Sequence, residues 1–271
     1  MGILSAIELP YVILGFGVGL LVGMTGVGLL VGMTGVGGGS LMTPLLILLF
    51  GIHPATAVGT DLLFAAATKS VGTVIHGLNH TVEWRVTGWM ALGSLPATAL
   101  TLFVLSHVGV QDEVAGGLVK AALAVALLLT ATSLLLRTQL INFATARFGH
   151  INPRRTAALT VATGAVLGVL VSLSSLGAGA VGIIALLLLY PRLPIARIVG
   201  SDIAHAVPLT FLAGVGHWIM GSVSWLMLVS LLVGSLPGIV AGSCASARVP
   251  DAVLRTILAI TLMIIAGRMI M

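Results

Sequence analysis

Residues 34–40 read TGVGGGS, and they interrupt an apolar stretch that runs from about residue 10 to residue 51. Glycine lets the backbone adopt positive φ or approach a ligand closely. Irregular backbone at membrane depth is tolerated only where it is buried in protein or lines a cavity. We therefore predict a broken membrane helix at this point of the chain.

The composition places the whole chain in a membrane. Of 271 residues, 58% are hydrophobic and only 7% are charged, and the mean hydropathy is +1.21. A soluble domain carries about 25% charged residues, and a disordered chain is far more polar than this one. Because about 20 apolar residues span a bilayer, the chain has room for roughly eight to ten passes. We predict an all-α polytopic membrane protein.

The charges and the single cysteine exclude several other classes. The net charge is +5 and the pI is about 10.4, but the Lys and Arg residues stand singly or in short loops. They form no stripe that would follow a nucleic-acid backbone. Cys244 is the only cysteine, so no intrachain disulfide or thiolate metal cluster can form. We expect no nucleic-acid partner, no metal and no cofactor, and we treat residues 1–12 as mature structure rather than a signal peptide.

The chain contains an internal repeat. Gly59-Thr60-Asp61 returns 141 residues later as Gly200-Ser201-Asp202. The same shift relates His76 to His217, Trp84 to Trp225, and GSLP at 93–96 to GSLP at 234–237. Upstream the shift is 140, and it relates Gly37, Gly39 and Pro54 to Gly177, Gly179 and Pro194. We predict a first membrane repeat at 1–137, a cytoplasmic linker at 138–155 and a second membrane repeat at 156–271.

Each half has the same predicted order: an apolar helix that ends in a glycine-rich break, a short apolar segment, a proline-led turn and three further helices. The predicted segments are 10–36, 40–51, 55–77, 86–106 and 113–136, then 157–174, 179–190, 195–217, 223–243 and 252–270. The short second segments would be about 17 Å long, too short to cross a core of about 30 Å. We predict that they are half-helices.

The arginines predict the orientation. If the connection from Arg137 to Arg155, with its four Arg residues, is cytoplasmic, the turns that carry Arg85, Arg192 and Arg197 also fall inside. The turns at 51–55, 106–111 and 221–222 contain no Lys or Arg and fall outside. Both termini are then external, with Arg268 as the one misfit, and the halves are inverted. Inverted repeats are typical of secondary transporters with a site near the bilayer midplane.

A nine-residue duplication lengthens the first helix. GLLVGMTGV occurs at 19–27 and again at 28–36. The second copy runs directly into the glycine-rich break, so we expect it to occupy the functional position. The extra length from the first copy would be accommodated by tilting of the helix or by its extension beyond the bilayer.

The two breaks are the first candidate site. A helix that resumes after a break presents free N–H groups and a partial positive charge, which suit an anion. Hydroxyls stand beside both breaks, on Thr34, Ser40, Ser174 and Ser175, with Gly38 inside the first one. The alternative is that these small residues only allow close helix packing.

Ionisable residues inside the helices are the second candidate site. Asp61 and Asp202 are predicted near midplane, where a carboxyl can carry a proton, bind an ion or orient a donor. The alternative is that each merely caps the start of a helix.

Lys69 and His205 extend this set. Lys69 offers a charge to an anionic substrate, or else it extends its ammonium to the inner interface. His205 lies one turn from Asp202 and suits a proton relay, or else bonds to a backbone carbonyl. Arg192 and Arg197 most simply set topology, although they flank the second short segment and can attract anions.

As a set, the GxGGG break, the proline turn, the GTD and GSD sequences and the paired GSLP segments resemble the TauE/SafE sulfite exporter family. The resemblance covers essentially the whole chain. It implies a bacterial membrane transporter that moves sulfite and organosulfur anions, generally outward. It also implies a substrate shell: Gly37, Gly38, Gly39, Ser40, Thr60, Asp61, Ser175, Gly177, Gly179, Ser201 and Asp202. The second break, GAGAVG, departs from the family pattern, as does the duplication.

We therefore expect alternating-access export of sulfite or a short sulfonate such as sulfoacetate across the cytoplasmic membrane. Half-helix N-termini and hydroxyls would hold the substrate oxygens, Lys69 would add charge, and Asp61, Asp202 or His205 would couple transport to protons. An anion channel with the same backbone cradle is the alternative. An enzyme is not expected because no HExxH or other recognisable catalytic motif occurs. A homodimer is compatible with so small a chain.

Overall fold

The computed structural model describes residues 39–108, 113–136, 152–177, 179–234 and 251–270, with residues 13 and 139 as isolated positions. Regular structure in these ranges is entirely helical. In chain order the helices are α1 (Gly39–Phe50), α2 (Pro54–Leu78), α3 (Trp84–Val108), α4 (Glu113–Leu135), α5 (Pro153–Ser174), α6 (Ala180–Leu189), α7 (Ile195–Ile219), α8 (Trp225–Gly234) and α9 (Asp251–Ile270).

The helices confirm the predicted class of all-α polytopic membrane protein. In the described ranges, α2, α3, α5, α7 and the Gly116–Ser133 part of α4 are long and apolar enough to cross a membrane. Large apolar side chains cover their outer surfaces; Leu100, Phe103 and Phe211 are each more than half exposed. An apolar surface of this extent is stable against lipid rather than water.

The second predicted break is present. Helix α5 ends at Ser174, and Ser175 then adopts the left-handed conformation with φ 58°. Gly177 and Gly179 follow with φ 112° and 141°, values that glycine adopts without a Cβ penalty. Helix α6 starts at Ala180 and has only 10 residues, while α1 has 12. Both short half-helices are therefore confirmed, and GAGA supplies the glycines that the break needs.

Other predicted segments lie partly or wholly outside the described residues. These are the first helix at 10–36, which holds the duplication and Thr34, the break residues Gly37 and Gly38, and the end of the segment predicted at 223–243. Helix α5 begins at residue 153 rather than 157, because the side chain of Asn152 caps it by accepting a hydrogen bond from the Arg154 N–H, with Pro153 following as the first helical residue.

The two predicted halves interleave rather than pack as separate units. Helix α2 packs on α7, α4 packs on α9, and α3 packs on α5. The first two pairs join equivalent helices of the two halves. The α3–α5 contact is close because glycines face backbone: a Cβ on Gly93 would overlap the Val161 carbonyl, and one on Gly164 would overlap the Met90 carbonyl.

Equivalent residues of the two halves make reciprocal contacts. The N–H of Ser224 donates to the hydroxyl of Thr60 at 3.1 Å, and the N–H of Glu83 donates to the hydroxyl of Ser201 at 2.8 Å. Thr60 and Ser201 are 141 residues apart, as are Glu83 and Ser224. The same bond is thus made twice with the roles of the halves exchanged.

The glycines beside these hydroxyls repeat the pattern. A Cβ on Gly59 would overlap the carbonyl oxygen of Ser222, and a Cβ on Gly200 would overlap that of Thr81. Thr81 and Ser222 are again 141 residues apart. An approximate two-fold relation between the halves produces this exchange of contacts; their inversion across the membrane stays a prediction.

Candidate functional site

Asp61 is held inside the protein by a residue of the first half-helix. It is the eighth residue of α2, which starts at Pro54, and its side chain is fully buried. Its Oδ2 accepts a hydrogen bond of 2.5 Å from the hydroxyl of Thr43 in α1. The alternative that Asp61 caps its helix is therefore wrong, because α2 begins two turns earlier.

Asp202 occupies the equivalent place in the second half. It is the eighth residue of α7, which starts at Ile195, and it is 1% exposed, so it does not cap its helix either. Its Oδ1 faces Gly182 of α6 so closely that a Cβ at residue 182 would overlap it. Each aspartate thus lies against the half-helix of its own repeat, beside a threonine in one half and a glycine in the other.

Lys69 provides a positive charge shared by this region. Its ammonium interacts electrostatically with both Asp61 and Asp202, and its charge also acts on the His205 ring. Lys69 is half-buried in α2, and its role as a counter-charge for the substrate stays a prediction.

His205 is fully buried and lies one turn after Asp202 in α7. Its Nε2 lies 2.8 Å from the hydroxyl of Ser94 in α3. The partner is therefore a side-chain hydroxyl and not the backbone carbonyl of the alternative interpretation. Ser94 belongs to the first of the two repeated GSLP segments. That repeat is the feature of the sequence that could have identified Ser94 as a site residue.

The two serines of the second break have different surroundings. Ser174 closes the end of α5: its hydroxyl bonds to the Leu170 carbonyl at 2.6 Å and accepts from the Leu176 N–H at 3.2 Å. The hydroxyl of Ser175 instead faces the carboxyl of Asp61 in the first half. The second break therefore reaches the acidic residue of the opposite half.

We use the name polar cluster for the six residues that these contacts bring together: Thr43, Asp61, Lys69, Ser175, Asp202 and His205. Four of its polar atoms are buried and have no hydrogen-bond partner among the described residues: Asp61 Oδ1, Ser175 Oγ, Asp202 Oδ1 and His205 Nδ1. An unsatisfied buried polar atom costs about 1–3 kcal/mol. Their concentration in one place is the property expected of a binding site.

The other predicted site residues are placed as follows. The hydroxyls of Thr60 and Ser201 take part in the reciprocal contacts between the halves, and Ser201 also donates to the Arg197 carbonyl at 2.6 Å. Gly39 and Ser40 form the first turn of α1, and Gly177 and Gly179 form the second break. Within the described ranges, no three His, Cys, Asp or Glu side chains lie together as metal ligands.

Sequence reasoning missed Thr43 and Gly182. Both lie in short apolar helices where a single threonine or glycine carries no local signal. Only the packing of each half-helix against its aspartate makes them part of the site.

Apolar helices that cross a membrane around buried carboxyls, an ammonium and a broken helix define a membrane transporter. The chain belongs to the TauE/SafE sulfite exporter family: the family model described as "Sulfite exporter TauE/SafE" matches residues 11–269. This confirms the resemblance inferred from the sequence motifs.

Two relatives from Bacillus subtilis (strain 168) are also named as membrane transporters. The chain is 36% identical over 257 residues to "Probable membrane transporter protein YjnA", covering 94% of this chain and 96% of the relative. It is 28% identical over 229 residues to "Probable membrane transporter protein YdhB", covering 83% and 88%. Both are named as transporters and not as enzymes. No solved structure matches the chain.

Proposed function

We propose that the protein is a secondary transporter that exports a small sulfur oxyanion, sulfite or a short organosulfonate such as sulfoacetate, by alternating access. The observation that carries the proposal is the set of unpartnered buried polar atoms around Lys69, at the contact between the two halves. Family membership supports the substrate class, since the family is described as sulfite exporters.

The charges of the polar cluster favour proton coupling. Two carboxylates and one ammonium leave one net negative charge, which would repel an anion in a site of low dielectric constant. An anion therefore binds more readily when Asp61 or Asp202 is protonated. His205 accepts or passes that proton, because one of its ring nitrogens is bonded to Ser94 and the other has no partner among the described residues.

Backbone N–H groups supply the remaining contacts to the substrate. Helix α6 resumes directly after the second break, so its first turn presents donors of the kind that bind oxyanions. Ser175 adds a hydroxyl that faces Asp61. We propose that the first break, with Thr34, Gly37, Gly38, Gly39 and Ser40, also binds the substrate.

The reciprocal contacts support the proposal of alternating access. Thr60–Ser224 and Ser201–Glu83 tie the halves together at two equivalent places. In an inverted pair of repeats these places lie toward opposite membrane faces. Opening one while the other stays closed would expose the polar cluster to one side at a time.

Substrate flux into proteoliposomes tests the proposal. Sulfite and sulfoacetate should compete for one saturable pathway that responds to a pH gradient, and Lys69→Ala should reduce flux at least tenfold. Lys120→Ala, a change of the exposed lysine in α4, is the matched control and should transport as wild type.

The alternative function is an anion channel with the same cradle. Chloride would then conduct freely, sulfite and sulfonates would not compete, and the rate would exceed that of a transporter by orders of magnitude. That combination of results would reject the transporter proposal.

A further inference from the structure

A cavity lies away from the polar cluster, at the end of the molecule where α3 and α5 begin. Its volume is about 460 Å³, within the range of small-ligand pockets. It is lined by the first turns of α3 and α5 and by the turn after α6. The residues that carry its chemistry are Arg85, Trp89, Thr156, Tyr190 and Arg192.

Two helix N-termini point toward this cavity together. Gly164 of α5 faces the Met90 carbonyl, and Gly168 faces the Ser94 carbonyl. Both partners advance by four residues, so α3 and α5 run parallel. Parallel neighbours place the positive ends of both helix dipoles at the same end, which makes this end of the pair attractive to an anion.

The side chains that line the cavity give it a net positive charge. Glu83, the one acidic residue among the described residues of the lining, pairs with Arg197 at 3.2 Å. Arg85 and Arg192 line the same cavity, and both are exposed. With Glu83 neutralised by Arg197, the cavity presents two guanidinium groups, which bind phosphate-type oxyanions through paired N–H donors.

The remaining wall is apolar and aromatic. Val86, Leu189 and Leu193 line it beside Trp89 and Tyr190, and the Tyr190 hydroxyl is anchored to Thr160 Oγ1 at 2.9 Å. Trp84, at the start of α3, is 63% exposed. Trp and Tyr with arginines at helix ends are typical of the membrane–water interface, so the cavity meets the headgroup layer.

We propose that this cavity binds a phosphate-type oxyanion, supplied as the headgroup of an anionic phospholipid. The arginine distribution predicts that this end is cytoplasmic, where basic pockets between helices bind acidic headgroups. A lipid suits the site better than a free anion because apolar residues cover much of the wall. The bound headgroup would stabilise the start of α3 and the end of α6, beside the Glu83–Ser201 contact.

Native mass spectrometry and thermal unfolding test this site without any transport assay. The protein is placed in phosphatidylcholine nanodiscs with or without phosphatidylglycerol. Phosphatidylglycerol should raise the midpoint of unfolding by about 2–4 °C and remain bound in the spectrometer. The double variant Arg85→Gln/Arg192→Gln should lose both effects. Arg268→Gln, a change of an exposed arginine in α9, is the matched control and should keep them.

Three outcomes would overturn the proposal. The first is a double variant whose unfolding midpoint rises with phosphatidylglycerol as much as that of wild type. The second is an Arg268→Gln control that loses the rise in unfolding midpoint to the same extent as the double variant. The third is inorganic phosphate at millimolar concentration that reproduces the gain in phosphatidylcholine alone, which would assign the cavity to a free anion. If the double variant does not fold, Arg85→Gln and Arg192→Gln are measured singly, and each should lower lipid occupancy.

Discussion

The carboxyl of Asp202 lies directly against Gly182, with no room for a Cβ between them. The equivalent aspartate, Asp61, is instead bonded to the Thr43 hydroxyl. Two halves that share a sequence pattern therefore hold their buried acids differently: one carboxyl has a donor from its half-helix, and the other has close backbone contact. The two acids are expected to respond differently to mutation.

Gly182→Ala should displace Asp202 and reduce transport. The new methyl group overlaps Oδ1, so either the carboxyl or α6 must shift, at a cost of about 1–3 kcal/mol. We expect a lower unfolding midpoint and a several-fold lower flux. Gly88→Ala is the control: a Cβ there meets no atom within 4 Å, and alanine favours helix over glycine. Equal stability and flux in wild type and Gly182→Ala would contradict the close contact.

Thr43→Val should weaken the first acidic site. Valine keeps the shape of threonine but removes the donor, which leaves the Asp61 carboxyl without that partner at a cost of about 1–3 kcal/mol. We expect reduced stability in a thermal melt and reduced sulfite flux. Thr43→Ser keeps a hydroxyl and should retain most of both. A valine variant that transports better than the serine variant would rule out this role.

Asp202→Asn should separate substrate movement from proton movement. The amide cannot ionise, so a pH gradient loses a group through which it drives flux. We expect exchange of labelled sulfite across the membrane to persist while net flux stops responding to the pH gradient. If the variant responds to the gradient as wild type does, another group carries the proton, and the same pair of assays on Asp61→Asn and His205→Gln identifies it.

Thr60→Val and Ser201→Ala should have similar effects, because each removes the acceptor of one reciprocal contact. The expected loss is about 0.5–1.5 kcal/mol for each variant. If the two contacts are independent, the losses add in the double variant. Chemical or thermal unfolding measures both. A large loss in one variant with none in the other would show that the contacts are not equivalent.

Several features of the site were readable from residue type and spacing. Asp61, Lys69, Asp202 and His205 stood out because ionisable groups are rare in apolar helices. Asp61, Asp202 and His205 are buried, and the half-buried Lys69 acts electrostatically on all three. The repeat in the sequence puts Asp61 and Asp202 at matching positions, and each is the eighth residue of its helix.

The hydroxyl residues were harder to interpret. Thr60 and Ser201 sit beside the acids in sequence, and the resemblance assigned them to the substrate shell. In the fold their hydroxyls accept hydrogen bonds from backbone N–H groups of the opposite half. On a helix, neighbours in sequence project about 100° apart, so each hydroxyl contacts other groups than the acid beside it, and the part of Thr60 and Ser201 in the substrate shell stays a prediction.

The sequence by itself determined the membrane class, the helical segments, the repeat and the half-helices, because hydropathy, glycine and proline act over a few residues or within one turn. Only the tertiary structure decided which groups meet: Thr43 with Asp61, Gly182 with Asp202 and Ser94 with His205. These pairs come from helices that are distant along the chain, and their contact depends on crossing positions set by side-chain packing. Local pattern carries no information about that packing, so the partners appear only when the helices are assembled.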